Sequence, residues 1–317
     1  MSSELIPPVL ERREGLPQNV ERNVERRIEG IQERSYGSIR ALMNLKKIES
    51  KDGQEIEYYD VAPSAPEQGE ARPLLVVPGF ATGPLSFSPI IVGLANRRRV
   101  LSVSNPHGIK VDPQKGFPTP QLRKAMAIIE MLDHEGIEGI DAVGHSEGAI
   151  VLDLVAQLRP GLINHMVLSH PAGLSEKRGF LKLMLDSQVA DKAKKQRRGA
   201  MERDGSWTLF HRDLDKDIAD EYFGYLGKGR WQSIKEANAM RNANIAPDLQ
   251  QIQKQGTKVS IVFAEDDLMM PLKGEEDLMQ RTNIPKERIR KIKGGHHLHV
   301  FEDEKIAQEW NKALEAV

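Results

Sequence analysis

The sequence predicts an α/β fold: a mostly parallel sheet flanked by helices, with one helical insertion. Three observations carry this. Short apolar runs, among them Leu74-Leu75-Val76-Val77, Ile140-Asp141-Ala142-Val143 and Val259-Ser260-Ile261-Val262-Phe263, read as buried strands. Helical patterns lie between them, for example Leu122, Ala125, Met126, Ile129 and Leu132 on one stripe. From about Leu174 to Ile252 the strand signal disappears while the polar, helical pattern continues.

Composition bounds the reading. A chain of 317 residues fits one large α/β domain with an insertion, or two domains. Hydrophobic residues make up 39% and charged residues 29%, enough apolar material for a large core in a soluble globular protein. The net charge of -1 gives no global attraction to nucleic acid or an anionic membrane. The absence of cysteine excludes disulfides, thiolate metal sites and a cysteine nucleophile. No apolar run approaches a membrane span, and Met1-Ser2-Ser3-Glu4-Leu5-Ile6-Pro7-Pro8 lacks the basic and apolar regions of a signal peptide. A cytoplasmic protein is expected.

The elements follow in order. Residues from about Pro17 to Leu45 look helical and highly charged, with Val20, Val24, Ile28 and Ile31 on one stripe. The expectation is an extension packed on its own domain; the alternative is a homodimer contact through this extension. Lys47-Ile48-Glu49-Ser50 and Glu55-Ile56-Glu57-Tyr58-Tyr59 flank Lys51-Asp52-Gly53, a hairpin with a tight-turn Asp-Gly. Pro63 to Arg72 reads as a surface loop. The Leu74–Val77 strand ends in Pro78-Gly79-Phe80-Ala81-Thr82-Gly83. A short helix from Ser88 to Asn96 leads to the strand Arg99-Val100-Leu101-Ser102-Val103 and the loop Asn105-Pro106-His107-Gly108. Thr119-Pro120 opens a helix that closes at Asp133-His134-Glu135-Gly136. Ile163 to Ser169 is the next strand, leading to His170-Pro171-Ala172-Gly173. After the insertion come the strand from Lys258, the edge strand Ile289-Arg290-Lys291-Ile292, and a closing helix from Glu302 with Ile306, Trp310 and Leu314 on one face.

The chain is organised around Gly144-His145-Ser146-Glu147-Gly148, between the strand at 140–143 and the helical run Ala149-Ile150-Val151-Leu152-Asp153-Leu154-Val155. A serine between two glycines at a strand-to-helix junction is the nucleophile elbow pattern. So tight a turn leaves no room for side chains at 144 and 148, and it thrusts Ser146 outward. The backbone N–H of Glu147, at the helix start, points to where an oxyanion would form. Five letters are weak evidence alone; the flanking strand and helix and two partners downstream make the case.

On these residues the chain resembles the α/β-hydrolase superfamily. The resemblance implies an eight-stranded, mostly parallel sheet in two parts, residues 46–173 and 253–317, a helical cap over 174–252 and an N-terminal helical extension over 1–45. It places the second oxyanion donor at the backbone N–H of Phe80, although Pro78 stands where relatives carry His. It places the acid at Asp267, four residues before Pro271, with Asp266 as the alternative, and the base at His296, which directly follows a glycine. His297 and His299 crowd that site. The order Ser146, Asp267, His296 is the serine-acid-histidine order of this superfamily.

The implied chemistry is acyl transfer to water through an acyl-serine, on a small-molecule acyl substrate, with no cofactor and no metal. A serine at the elbow leaves esterases, lipases, thioesterases, amidases, C–C hydrolases, perhydrolases and acyltransferases, with carboxylic-ester hydrolysis the broadest expectation; the alternative class is a ligand-binding receptor on the same scaffold. His107, His170, Trp207 and Trp231 are the candidate pocket residues, and the insertion's aromatics are expected to line the pocket. The basic run Lys192 to Arg198 reads as a solvated helix face, since acidic residues flank it.

Overall fold

The structure is a computed structural model that describes residues 36–64, 71–104, 119–175, 192, 195–205, 208–227, 230–296 and 303–316. His107, Trp207, His297, His299 and nearly all of the expected N-terminal helical segment lie outside these residues.

Eight strands form one sheet in the order β1-β2-β4-β3-β5-β6-β7-β8. They are β1 (Asn44–Glu49), β2 (Glu55–Val61), β3 (Leu74–Val77), β4 (Val100–Val103), β5 (Ile140–His145), β6 (Ile163–Ser169), β7 (Lys258–Ala264) and β8 (Ile289–Ile292). β1 and β2 form the hairpin, antiparallel to each other, and β2 is antiparallel to β4. The strands from β3 to β8 run parallel. Strand order reverses at β3, which pairs with β4 on one side and β5 on the other. Such a switch point opens a crevice at the carboxyl ends of the strands, where α/β folds place ligands.

The bounded helices are α1 (Tyr36–Leu42), α2 (Ser88–Leu94), α3 (Thr119–His134), α4 (Gly148–Leu158), α5 (Leu209–Gly227), α6 (Arg230–Asn242), α7 (Ala246–Lys254), α8 (Glu275–Thr282) and α9 (Asp303–Glu315). Successive strand residues face opposite sides, so each central strand feeds two cores. Leu75 and Val77 pack with Ala125, Leu132, Val151 and Leu249 from α3, α4 and α7. Leu74 and Val76 pack on the other face with Ile91 of α2 and Ile306 and Trp310 of α9. Because both faces are covered, β3 and β4 are buried throughout, which is why they read as unbroken apolar runs. Met126 lies only half-buried on α3, whereas Ile128 and Met131 are buried: the helix is enclosed on more than one side.

Between β6 and β7 the described residues are mainly helical, with 195–204 helical ahead of α5, α6 and α7. Arg198 pairs with Glu202 and Asp215, as a solvated helix face would. α7 packs on α4 and β7, so it joins the helical layer of the sheet. α1 packs against α2 and α5, and its residues Tyr36 and Arg40 both bond Asp217 of α5. α1 ends at Leu42, short of the expected Leu45, because Asn44 already belongs to β1 and pairs with Asp60 of β2. α8 and its single apolar stripe through Leu278 have no counterpart among the sequence expectations.

Candidate active site

The turn after β5 carries Ser146 with φ 54°, a strained conformation for a residue with a side chain. The flanking glycines show why. A Cβ on Gly144 would lie 2.6 Å from the Gly148 carbonyl oxygen, so β5 and α4 cannot separate enough for a side chain. A Cβ on Gly148 would lie 2.3 Å from the Val77 carbonyl oxygen. The second clash is therefore with β3, not with position 144. Gly79 completes the close approach: its Cβ would stand 3.0 Å from that of Ser146. The elbow and the loop after β3 are thus in backbone contact.

Three side chains converge here. His296 Nε2 is 3.0 Å from Ser146 Oγ, and its Nδ1 is 2.8 Å from Asp267 Oδ2. Asp267 is locked by its other oxygen, Oδ1, which accepts the backbone N–H groups of Met269 (2.9 Å) and Met270 (2.8 Å). With Nδ1–H donating to Asp267, the imidazole presents bare Nε2 to the serine hydroxyl. Asp266, the alternative acid, is exposed, and its N–H bonds the Gly294 carbonyl. Ser146 itself is only 4% exposed; contrary to the expected outward thrust, it is enclosed, with Gly79 pressed against it.

Burial pushes the Asp267 carboxyl up, but the charge and hydrogen bond of His296 outweigh this and hold it at about 2. His145 and His170 flank His296, with ring centroids 5.1 Å and 5.8 Å from it. His145 Nε2 lies 3.3 Å from the His296 carbonyl oxygen. Burial lowers His170 to about 4, so it stays neutral near neutral pH and adds no charge beside His296. Its φ is 48° and its Nδ1 is 3.0 Å from Ser169 Oγ. It is buried beside the His296 ring.

The backbone N–H groups of Glu147 and Phe80 donate no hydrogen bond among the described residues. Glu147 is the residue before α4, and Phe80 lies in the loop after β3. The Glu147 side chain is fully buried: Lys124 Nζ of α3 donates to its Oε2 (2.6 Å) and Gln121 Nε2 to its Oε1. Lys124 also pairs with Glu236 of α6. Sequence reasoning missed Lys124, Gln121, Glu236 and Glu221, since polar residues at helical spacing look like a solvated face.

The insertion's aromatics divide. Tyr225 of α5 is buried, its ring edge-on to Phe80 at 5.8 Å. Phe223 is 68% exposed, and Phe210 packs edge-on against Tyr36 at 5.6 Å. Trp231 lies on α6. An open cleft of about 640 Å³ lies beside Gly173, Pro247 and Arg281, and none of Ser146, Asp267 and His296 lines it. Among the described residues no group of three or more His, Asp or Glu could hold a metal ion, and no helix is long and apolar enough to cross a membrane.

Comparison with known proteins agrees with this architecture. A family model described as alpha/beta hydrolase fold matches residues 72–303. No curated protein matches the sequence. Among solved structures, a hydrolase from Pseudomonas aeruginosa PA01 is 17% identical with a TM-score of 0.60, covering 86% of this chain and 99% of that one. An esterase from Exiguobacterium antarcticum is 15% identical with a TM-score of 0.61, covering 85% and 99%. An enol-lactonase from Burkholderia xenovorans LB400 is 17% identical with a TM-score of 0.59, covering 85% and 100%. At these identities the likeness is one of fold.

Proposed function

The chain belongs to the alpha/beta hydrolase fold family, and from that premise we propose that it is a serine hydrolase acting on carboxylic esters through an acyl-serine intermediate. The observation that carries the reading is the hydrogen-bonded line from Ser146 Oγ through the His296 ring to Asp267. A serine hydroxyl is a weak nucleophile until a base takes its proton. His296 Nε2 accepts that proton as Oγ attacks the acyl carbon, then returns it to the leaving oxygen. Asp267 fixes the tautomer and stabilises the imidazolium. The N–H groups of Phe80 and Glu147 receive the oxyanion. Water, deprotonated by His296, then releases the acid. No step calls for a cofactor or metal.

Ester hydrolysis is favoured over the other acyl chemistries because the similar structures include an esterase and an enol-lactonase. In this reading residues 174–252 act as a cap that shapes the acyl pocket and excludes water.

A fluorophosphonate probe tests the nucleophile. It should label the wild-type protein and not Ser146→Ala. A panel of p-nitrophenyl esters of increasing chain length, set beside matched anilides and thioesters, tests the bond type. Persistent labelling of Ser146→Ala, or faster turnover of anilides than esters, would overturn the respective part.

A further inference from the structure

Two carboxylates of the helical insertion, Glu236 buried and Glu221 half-buried, are unused by the mechanism above, and each reaches one of the two loops that carry the oxyanion donors. Glu221 of α5 accepts four hydrogen bonds: from the N–H groups of Gly83 (3.1 Å), Leu85 (2.9 Å) and Ser86 (2.9 Å), and from Ser86 Oγ (2.6 Å). Gly83 ends the Pro78–Gly83 loop that contains Phe80, and Leu85 and Ser86 lie in the single 3-10 turn that follows it. The fit is close, since a Cβ on Gly83 would fall 2.3 Å from Glu221 Oε1. Glu236 of α6 reaches the other loop through a relay. It pairs with Lys124, and Lys124 in turn donates to Glu147. Gln121 Nε2 reinforces it, bonding both Glu147 Oε1 and the Glu236 carbonyl oxygen. One turn from Glu221, Tyr225 lies edge-on to Phe80, and Lys124 Nζ stands 5.6 Å over its ring.

We infer that Glu221 and the Glu236–Lys124 relay are positioning residues that clamp the helical insertion to both oxyanion loops and set the separation of the Phe80 and Glu147 N–H groups. The inference rests on the serine hydrolase reading for its catalytic consequence, but the clamp itself is geometric. Apolar contact alone would dock a helix with latitude along its axis. A carboxylate receiving three backbone N–H groups has one position, and a relay ending on Glu147 has few. An oxyanion hole demands such definition, because donors act at about 2.7–3.1 Å from the developing charge.

The arrangement is costly unless complete. Three ionisable groups meet with almost no water, and removing one leaves its partners buried and unpaired. Burial opposes the Lys124 charge, but Glu147 and Glu236 outweigh it and raise its pKa. Burial and then Glu147 push the Glu236 carboxyl well above the ordinary range.

The test compares Glu221→Gln, Lys124→Met and, as a control, Lys235→Ala on the exposed side of α6. Glu221→Gln keeps the size of the side chain but turns an amide N–H₂ toward N–H donors. Two readouts are taken on protein shown to be folded by circular dichroism. The first is the apparent rate of fluorophosphonate labelling together with the Kd for a trifluoromethyl ketone, which forms an oxyanion on Ser146, and for its hydrated-ketone-free methyl ketone analogue. Both clamp variants should label at least tenfold more slowly and lose trifluoromethyl ketone affinity by a similar factor, with a much smaller change for the methyl ketone. Lys235→Ala should match wild type. The second is the amide spectrum of protein labelled with ¹⁵N-phenylalanine and ¹⁵N-glutamate. The Phe80 resonance should shift in Glu221→Gln and that of Glu147 in Lys124→Met. Equal losses for both ketones, or unchanged Phe80 and Glu147 resonances, overturn the clamp. If wild type itself takes no probe while these resonances still move, the hydrolase reading fails and the clamp stands.

Discussion

Replacing Gly148 with alanine isolates the close approach on which the site is built. The added Cβ would sit 2.3 Å from the Val77 carbonyl oxygen, 3.0 Å from that of Pro78 and 3.1 Å from the Val77 carbonyl carbon. Non-bonded heavy atoms prefer about 3.5 Å, so roughly 1 Å must be found. All three obstacles are backbone, and Val77 is held in register with Gly144 in the sheet, so no side chain can swing away. Overpacking costs about 1–3 kcal/mol and sometimes more. The rigid obstacle places this variant near the upper end, with only part of the ~1 kcal/mol helix gain from Gly to Ala recovered at the first helical residue. A net loss of about 2–3 kcal/mol is expected, which leaves a protein of ordinary stability folded. The functional loss should be larger than that suggests. Relief of the clash moves the loop after β3 away from the elbow, and a misplacement of about 1 Å can cost ~100-fold in rate. The assay is urea unfolding beside fluorophosphonate labelling, with Gly224→Ala as control. Gly224 lies inside α5 with nothing within 4 Å of a built Cβ, so alanine there should stabilise slightly and leave labelling unchanged. A Gly148→Ala protein within about 0.5 kcal/mol of wild type, labelling at the wild-type rate, would refute the reasoning.

Three further outcomes are expected. Asp267→Asn should lower the labelling rate by about 10³-fold or more, since its amide can stabilise the wrong His296 tautomer, whereas Asp266→Asn on the exposed neighbour should not; equal effects in a rate assay would reassign the acid. His170, with its folded pKa lowered by burial to about 4, favours the folded state fully above about pH 6.5 and loses that contribution as pH falls toward 4. The loss is about 3 kcal/mol, and His170→Asn, compatible with φ 48°, should flatten the pH dependence of urea midpoints in that window; an unchanged slope would show that His170 is not buried neutral. Trp310 is fully buried and stacks on Phe87 at 6.2 Å, while its indole nitrogen has no hydrogen-bond partner among the described residues. Trp310→Ala should therefore cost about 3–5 kcal/mol and Trp310→Phe much less, and similar thermal melts for the two would contradict this.

The sheet was legible because its signal is local. β3 to β7 are short apolar runs closed by turn residues, and each was marked within a residue or two. The elbow, the Asp267–Pro271 spacing and the Gly295-His296 pair are local marks of the same kind. The polar ties are different. Nothing near Lys124 in the chain announces that its partners are Glu147 and Glu236, the latter more than a hundred residues on. Helical periodicity says which face a residue occupies, not which distant carboxylate meets it there. Glu221 likewise reads as one more charge on a charged helix. α8 escaped notice because one buried stripe through Leu278 and Thr282, on an otherwise polar segment, resembles loop composition. The enclosure of Ser146 was hidden for a related reason: it depends on Gly79, which approaches from another strand.

The helical insertion leaves the sheet at the end of β6 and returns at the start of β7, and these two strands are hydrogen-bonded neighbours. Its departure and re-entry lines are therefore about one strand spacing, roughly 4.8 Å, apart laterally. For a nascent chain, β3, β4, β5 and β6 can associate from contiguous sequence, whereas β7 and β8, with Asp267 and His296, must await the whole intervening stretch. Loop-closure entropy grows only logarithmically with length, at about 0.6 kcal/mol per doubling, so the delay is mainly one of order and not of final stability. Pulsed hydrogen exchange during refolding should find amides of β5 protected before those of β7. The residues that would bring Ser146 to life then arrive last, after the serine already has its place.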